Sequence, residues 1–148
     1  DNPGLNGLEK LRAIFKASLH PDRQAKMFCM MPYLLDNDKF LATEIRSIFT
    51  EVVPVFMEPI LRQGMADGSI RTDRPRELAE AMLLLSDVWI NPIVRPTSPE
   101  EIEARCAVYN RLFEGFGITE LIDREIIDTL ISYAEMAHPP SPDADKND

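Results

Sequence analysis

Residues 60–83 read ILRQGMADGSIRTDRPRELAEAML. An apolar helical pattern halts at Asp67-Gly68, crosses a few polar residues and resumes at Pro75. Gly68 stands where a helix ends in a left-handed residue, a conformation that costs glycine no Cβ clash. Ile70 is placed to fold back as the apolar contact that closes such a turn. Asp73 or Arg74 then caps the next helix, and the ring of Pro75 presets φ for its first turn. The stretch therefore reads as two helices joined by a glycine-stopped turn.

Helical periodicity extends outward in both directions. Leu5, Leu8, Leu11, Phe15 and Leu19 predict a first amphipathic helix that ends near His20-Pro21. A shorter second helix is expected over 22–35, with Pro32 bending or ending it. Asp36-Asn37-Asp38 offers N-cap oxygens to a long third helix that reaches Asp67. Its apolar positions, among them Ile45, Phe49, Val52, Phe56 and Ile60, keep a 3.6-residue period past Pro54 and Pro59. Each proline removes one backbone hydrogen bond and crowds the carbonyl four residues back, so a kink is expected within one helix.

The fourth helix is predicted from Pro75 to about Val94, with Leu78, Ala81, Met82, Leu85, Val88 and Trp89 on a wide stripe. Asn91-Pro92 and Pro96 close it. Ser98-Pro99-Glu100-Glu101 is a capping box with proline in the first turn, and it opens a fifth helix that runs to Gly115 or Phe116. A sixth is expected from about Thr119 to Ala137. No run alternates with period two. The expectation is an all-α bundle of about six helices forming one domain over residues 1–137. The tail HPPSPDADKND, residues 138–148, is too polar to offset its ordering entropy and is expected to be disordered.

Composition narrows the function classes. A chain of 148 residues can bury a sizeable core without disulfides or metals. Its net charge of −9 repels phosphate backbones, so this chain alone is a poor binder of nucleic acid. Cys29 and Cys106 lie in apolar runs and suit the reduced, buried thiols of a cytoplasmic protein. No charged-then-apolar leader opens the chain, and no apolar run approaches the roughly 18 residues that span a bilayer. No membrane partner is expected.

Catalytic signatures are sparse. His20 and His138 are the only histidines, and neither has a nucleophile at a meaningful spacing. The glycines form no phosphate-cradling loop, and metal-ligand spacings are missing. Neither an enzyme nor a cofactor or metal site is expected. Met27-Phe28-Cys29-Met30-Met31 could offer soft sulfur to Cu(I). Successive helical positions point in different directions, however, so flexible apolar filling is the plainer reading, with a pocket for varied guests between the two.

Candidates for an effector pocket are the residues placed to face the bundle interior near the kinked helix. They are Phe28, Met31, Phe49, Val52, Phe56 and Met57, joined by Met82, Leu85, Trp89, Tyr109 and Phe113 from elsewhere in the chain. Core packing is the commoner role for most of them. Trp89 and Tyr109 are better placed for binding, since each joins a large apolar face to a donor that needs a partner. Asp87 interrupts an apolar run. Facing inward it would hold a ligand's amine or hydroxyl; facing outward, the favoured reading, it is a solvated carboxylate or an ion-pair partner.

The fifth and sixth helices each carry more apolar surface than one core-facing stripe needs. Ala104, Val108 and Leu112 make a second face on the fifth, and Ile127, Ile131 and Ala134 make one on the sixth. Such a pair meeting its symmetry mate builds a four-helix dimer interface, against the alternative that both faces belong to a monomer core.

The run from Pro59 to Ile70, followed by Asp73 and Glu77-Leu78-Ala79, resembles the tetracycline-repressor (TetR) family of transcriptional regulators. The opening Gly7-Leu8-Glu9-Lys10-Leu11-Arg12 also resembles the segment that begins the family's C-terminal, effector-binding domain. Ile70 departs from the pattern, which often has an aromatic there. The family's N-terminal helix-turn-helix does not appear, and with Asp1 as the first residue a DNA-reading part is expected upstream. The resemblance implies a homodimer that binds a small, mostly apolar effector and meets DNA only through that absent domain. It leaves open the effector, the operator, and whether the regulator represses or activates. The rival reading is a stand-alone helical protein-interaction module that uses the same apolar face.

Overall fold

Asn6 starts the first helix, α1 (Gly7–Ser18), with a capping box: its side chain accepts from the Glu9 amide at 2.9 Å, and the Glu9 carboxylate accepts from the Asn6 amide at 2.8 Å. Leu11 and Phe15 point from α1 into the core. The computed structural model describes residues 3–19 and 37–137. The helix expected over 22–35, the tail 138–148, and the candidates Phe28 and Met31 lie outside the described residues.

Three segments follow end to end: α2 (Asp38–Ser47), a π-helical stretch π1 (Ile48–Met57) and α3 (Glu58–Asp67). Asn37 caps α2 by accepting from the Lys39 and Phe40 amides at 3.1 and 3.2 Å. Ile48 and Glu58, at the two joints, both keep right-handed helical torsions, so 38–67 is one continuous rod. Where the proline kink is expected, the rod carries a widened turn. Pro54 lies inside π1, where the Glu58 amide reaches back five residues to the Val53 carbonyl. The wider loop gives the pyrrolidine ring room that a tight α-turn denies it. Pro59 follows directly, in the first turn of α3 after the widened stretch.

Gly68 ends α3 with φ +80°, and the Ile70 amide then donates to the Gly64 carbonyl at 3.0 Å. Ile70 is 2% exposed, folded back over Gly64 as its position in the sequence implied. The next rod is α4 (Pro75–Leu84) continued by a second π stretch, π2 (Leu85–Ile90), and it ends at Ile90, four residues short of the Val94 expected. The Ser98–Glu101 capping box opens α5 (Pro99–Phe113), which tightens into a 3-10 turn over Glu114–Phe116.

The last helix, α6 (Arg124–Ala137), starts later than the Thr119 expected. Residues 118–123 instead form an irregular plug with Ile118, Leu121 and Ile122 buried. The Asn110 side chain holds the plug from both sides, donating to the Ile122 carbonyl at 2.8 Å and accepting its amide at 3.0 Å. Asp123 accepts from the Ile126 amide at 3.0 Å and caps α6.

Five continuous rods result, all helical, with no strand among the described residues. They enclose one apolar core that includes Leu11, Val53, Met57, Leu61, Met82, Ile102, Cys106 and Tyr109. No described helix is long and apolar enough to cross a membrane.

Candidate functional site

The pocket candidates separate into three groups. Met57, Met82, Tyr109 and Phe113 are fully buried and interlock with the core. Tyr109 packs at a tilt of 57° against Phe113, ring centroids 4.7 Å apart, and its hydroxyl donates to the Met82 carbonyl at 3.1 Å. That carbonyl lies where α4 widens into π2, so the phenol satisfies an acceptor at the point where the helical ladder changes register. Burial pushes the Tyr109 pKa far up, with the Asp87 charge adding to it.

Val52, Leu85 and Trp89 are half-buried at the edge of the core. The Trp89 carbonyl accepts from the Arg105 guanidinium at 3.2 Å, which ties the end of π2 to α5.

Phe49 and Phe56 correct the expectation that they face the interior: they are 43% and 60% exposed. The π turn is the cause. The buried apolar side chains along the rod are Ile48, Val53, Met57 and Leu61, spaced by five and then by four. One extra residue in the widened turn brings Val53 and Met57 inward and carries Phe49 and Phe56 out. Val55, 60% exposed, joins them, and periodicity alone gave no signal for it.

Asp87 keeps an exposed edge, in line with its outward reading, yet its carboxyl is desolvated enough to raise its pKa. A hydrogen bond from Ser86 at 3.1 Å opposes the shift, and the Glu44 charge on α2 adds to it.

A second surface lies on α5. Ile102, Cys106, Tyr109 and Phe113 form its buried stripe. On the opposite side Ala104 is exposed, Val108 is 49% exposed and Leu112 is 52% exposed. The partners expected on α6 behave differently. Ala134 is buried at 5% exposure, and Ile127 and Ile131 are half-buried against the core. Here the monomer core claims the face, because α6 rotates its apolar side onto α1 and α5 through Tyr133 and Leu130 rather than leaving it free. Apart from Met136 near the end of α6, which is 58% exposed, the outward apolar surface of this pair belongs to α5.

A surface depression of about 410 Å³ is lined by Arg12, Lys16, Glu120 and Asp123, away from all of these candidates. Its cations are engaged: Lys16 pairs with Asp123 at 3.0 Å and Glu125 at 2.9 Å, and Arg12 donates to the Thr119 carbonyl and hydroxyl. Among the described residues no group of three His, Cys, Asp or Glu is arranged to hold a metal. Burial pushes the Cys106 thiol up to about 11, which keeps it protonated and unreactive at neutral pH. Among the described residues, the pocket candidates contribute core packing and exposed apolar surface.

Sequence reasoning missed the anchor that joins the start of α1 to the end of α3. The Asp67 carboxylate accepts from the Gly7 amide at 2.8 Å and the Ser69 amide at 2.9 Å. The Ser69 hydroxyl accepts from the Leu8 amide at 3.2 Å, and the Gln63 side chain donates to the Leu5 carbonyl at 3.0 Å. No local pattern links positions some 60 apart, although an acid at a helix end beside a glycine is a visible hint. The chain matches no protein-family model, no curated protein and no solved structure.

Proposed function

We propose that this chain is the effector-sensing and dimerisation domain of a TetR-like transcriptional regulator. The observation that carries the reading is the outward face of α5, where Val108 and Leu112 leave about half of their surface in water opposite a fully buried stripe. An apolar helix face of this kind is covered by a second copy in many homodimers. The turn from Gly68 to Pro75 and the anchor of α1 on Asp67 support the family resemblance.

The effector is a small, mostly apolar molecule. Its approach is through Phe49, Val52 and Phe56 on π1 and the half-buried Leu85 and Trp89 of π2. Met57, Met82, Tyr109 and Phe113 are packed, so they meet the effector only if it favours a second packing of the rods. A preference for that packing would bias the dimer between two states, with operator binding left to a domain outside this chain.

The test is sedimentation equilibrium of the purified chain, with Trp89 fluorescence followed during titration with an apolar dye such as anilinonaphthalene sulfonate. A dimer at low micromolar concentration and a saturable change in Trp89 emission are expected. A strict monomer at high micromolar concentration overturns the dimerisation half, and an unresponsive Trp89 overturns the sensing half.

A further inference from the structure

The outermost line of α5 runs from acidic to basic. Glu100 stands near its start, Ala104 and Ala107 near its middle and Arg111 near its end, all on the side away from the buried stripe and all exposed. The Arg111 side chain is 83% exposed and has only a loose contact, 3.9 Å, with Glu114 of its own helix.

We propose that a second copy of the chain docks with its α5 antiparallel to this one, so that Arg111 of each copy meets Glu100 of the other. A twofold axis passing midway between Ala104 and Ala107 is the placement that does this. The same axis sets Ala104 against the other copy's Ala107, where two methyl side chains let the backbones approach closely. The charged pairing and the small-residue pairing share one axis. A parallel arrangement would instead put Glu100 on Glu100 and Arg111 on Arg111, like charge on like charge, and it would align the helix dipoles head to head. The antiparallel pairing opposes both the charges and the dipoles favourably, and it is isologous, as a closed dimer requires.

This inference rests on the dimerisation reading above, and the experiment separates the two. Dimer dissociation constants of the full chain are measured by sedimentation for wild type, Glu100→Arg, Arg111→Glu and the double variant, with helical content checked by circular dichroism. Each single reversal makes two contacts repulsive across the twofold, so each is expected to weaken association by about tenfold or more, and the double variant to recover to within about threefold of wild type. If Arg111→Glu loses helix, Arg111→Gln replaces it, and the salt dependence of the wild-type dimer is expected to fade in that variant.

A wild-type dimer indifferent to both single reversals overturns the antiparallel register and leaves dimerisation standing. Tighter association of Arg111→Glu, or a double variant no better than the singles, also overturns it. A wild-type monomer at high micromolar concentration overturns both readings.

Discussion

Gly7 and Gly64 meet backbone to backbone where α1 crosses α3. A β-carbon built on Gly7 would lie 2.3 Å from both the Cα and the amide nitrogen of Gly64, and 3.0 Å from the Ile60 carbonyl oxygen. The obstacle is main chain, which cannot swing aside as a side chain can. Gly7→Ala gains at most about 1 kcal/mol of helix propensity. The overpacking it causes costs about 3 kcal/mol, so net destabilisation is expected. On Gly64 an added β-carbon meets the Ile70 side chain, at 2.5 Å from Cδ1, 2.6 Å from Cγ1 and 2.9 Å from Cβ; a turn of that side chain relieves the first two, and the third asks for a small backbone shift. Gly64→Ala should therefore cost less than Gly7→Ala. Urea denaturation of the two variants checks the order; the reverse ranking would contradict this crossing.

Tyr109 links the core to the widened end of α4. Tyr109→Phe keeps the ring packed on Phe113 and removes the hydroxyl's hydrogen bond to the Met82 carbonyl together with its interaction with the Ser86 side chain. That carbonyl also accepts from the Leu85 amide, so it is not left without a partner. A loss of about 1 kcal/mol is expected, at the modest end for a buried hydrogen bond. A loss above about 3 kcal/mol would mean that the phenol organises more of π2 than this one acceptor. Chemical denaturation at neutral pH measures it.

Acid should unfold the protein by releasing two carboxylates from their partners. Glu58, at the joint of π1 and α3, is held below its usual pKa by hydrogen bonds from Arg76 and then Arg62, at 2.9 and 2.6 Å. Asp67 is held low by Ser69 and by the Gly7 amide. A depressed folded pKa contributes stability that is present above the unfolded value and is lost as pH falls through the folded one. The melting temperature is therefore expected to hold from neutral pH down to the ordinary carboxylate range and to drop below it. Glu58→Gln should flatten that drop and lower stability at neutral pH. Asp87 works in the opposite sense: its raised pKa means that the ionised form disfavours the fold, so Asp87→Asn should raise the melting temperature at pH 7 and have little effect near pH 3. Thermal melts across pH, followed by circular dichroism, decide both. An Asp87→Asn variant less stable than wild type at pH 7 would contradict the second.

Legibility of the fold in the sequence varied with the kind of signal. Ser98-Pro99-Glu100-Glu101 and Asp67-Gly68-Ser69-Ile70 carry their structure locally, through capping and left-handed geometry, and both were readable. The start of α6 was misplaced because Ile118, Leu121 and Ile122 share helical spacing while the chain there is irregular, held by an Asn110 distant in sequence. The inward facing expected of Phe49 and Phe56 was misread for a different reason. Around Pro54 nearly every side of the rod is apolar, so hydrophobicity does not choose which side turns inward. The widened turn makes that choice, and a 3.6-residue count cannot register it. The α5 face was readable because its opposite stripe is continuous; the α6 face was not, because its apolar residues serve the same core.

The phase of π1 can be measured directly by paired truncations. If 38–67 were α-helical throughout, the spacing of Phe49, Val52, Phe56 and Ile60 would place Phe56 in the core, and Phe56→Ala would cost about 3–5 kcal/mol. With the π turn in place Phe56 is 60% exposed while its neighbour Met57 is 1% exposed. Met57→Ala should then cost about 2–5 kcal/mol, and Phe56→Ala under about 1 kcal/mol. Both residues flank the same backbone, so differences in local helix propensity largely cancel and the comparison isolates burial. The same two variants bear on sensing. Phe56→Ala removes surface that an apolar guest would touch without disturbing the core, so it should weaken the dye-induced change in Trp89 emission while leaving the melting temperature near wild type. Equal costs for Phe56→Ala and Met57→Ala would mean that the turn is not widened in solution, and the approach to the effector would have to be sought on another face.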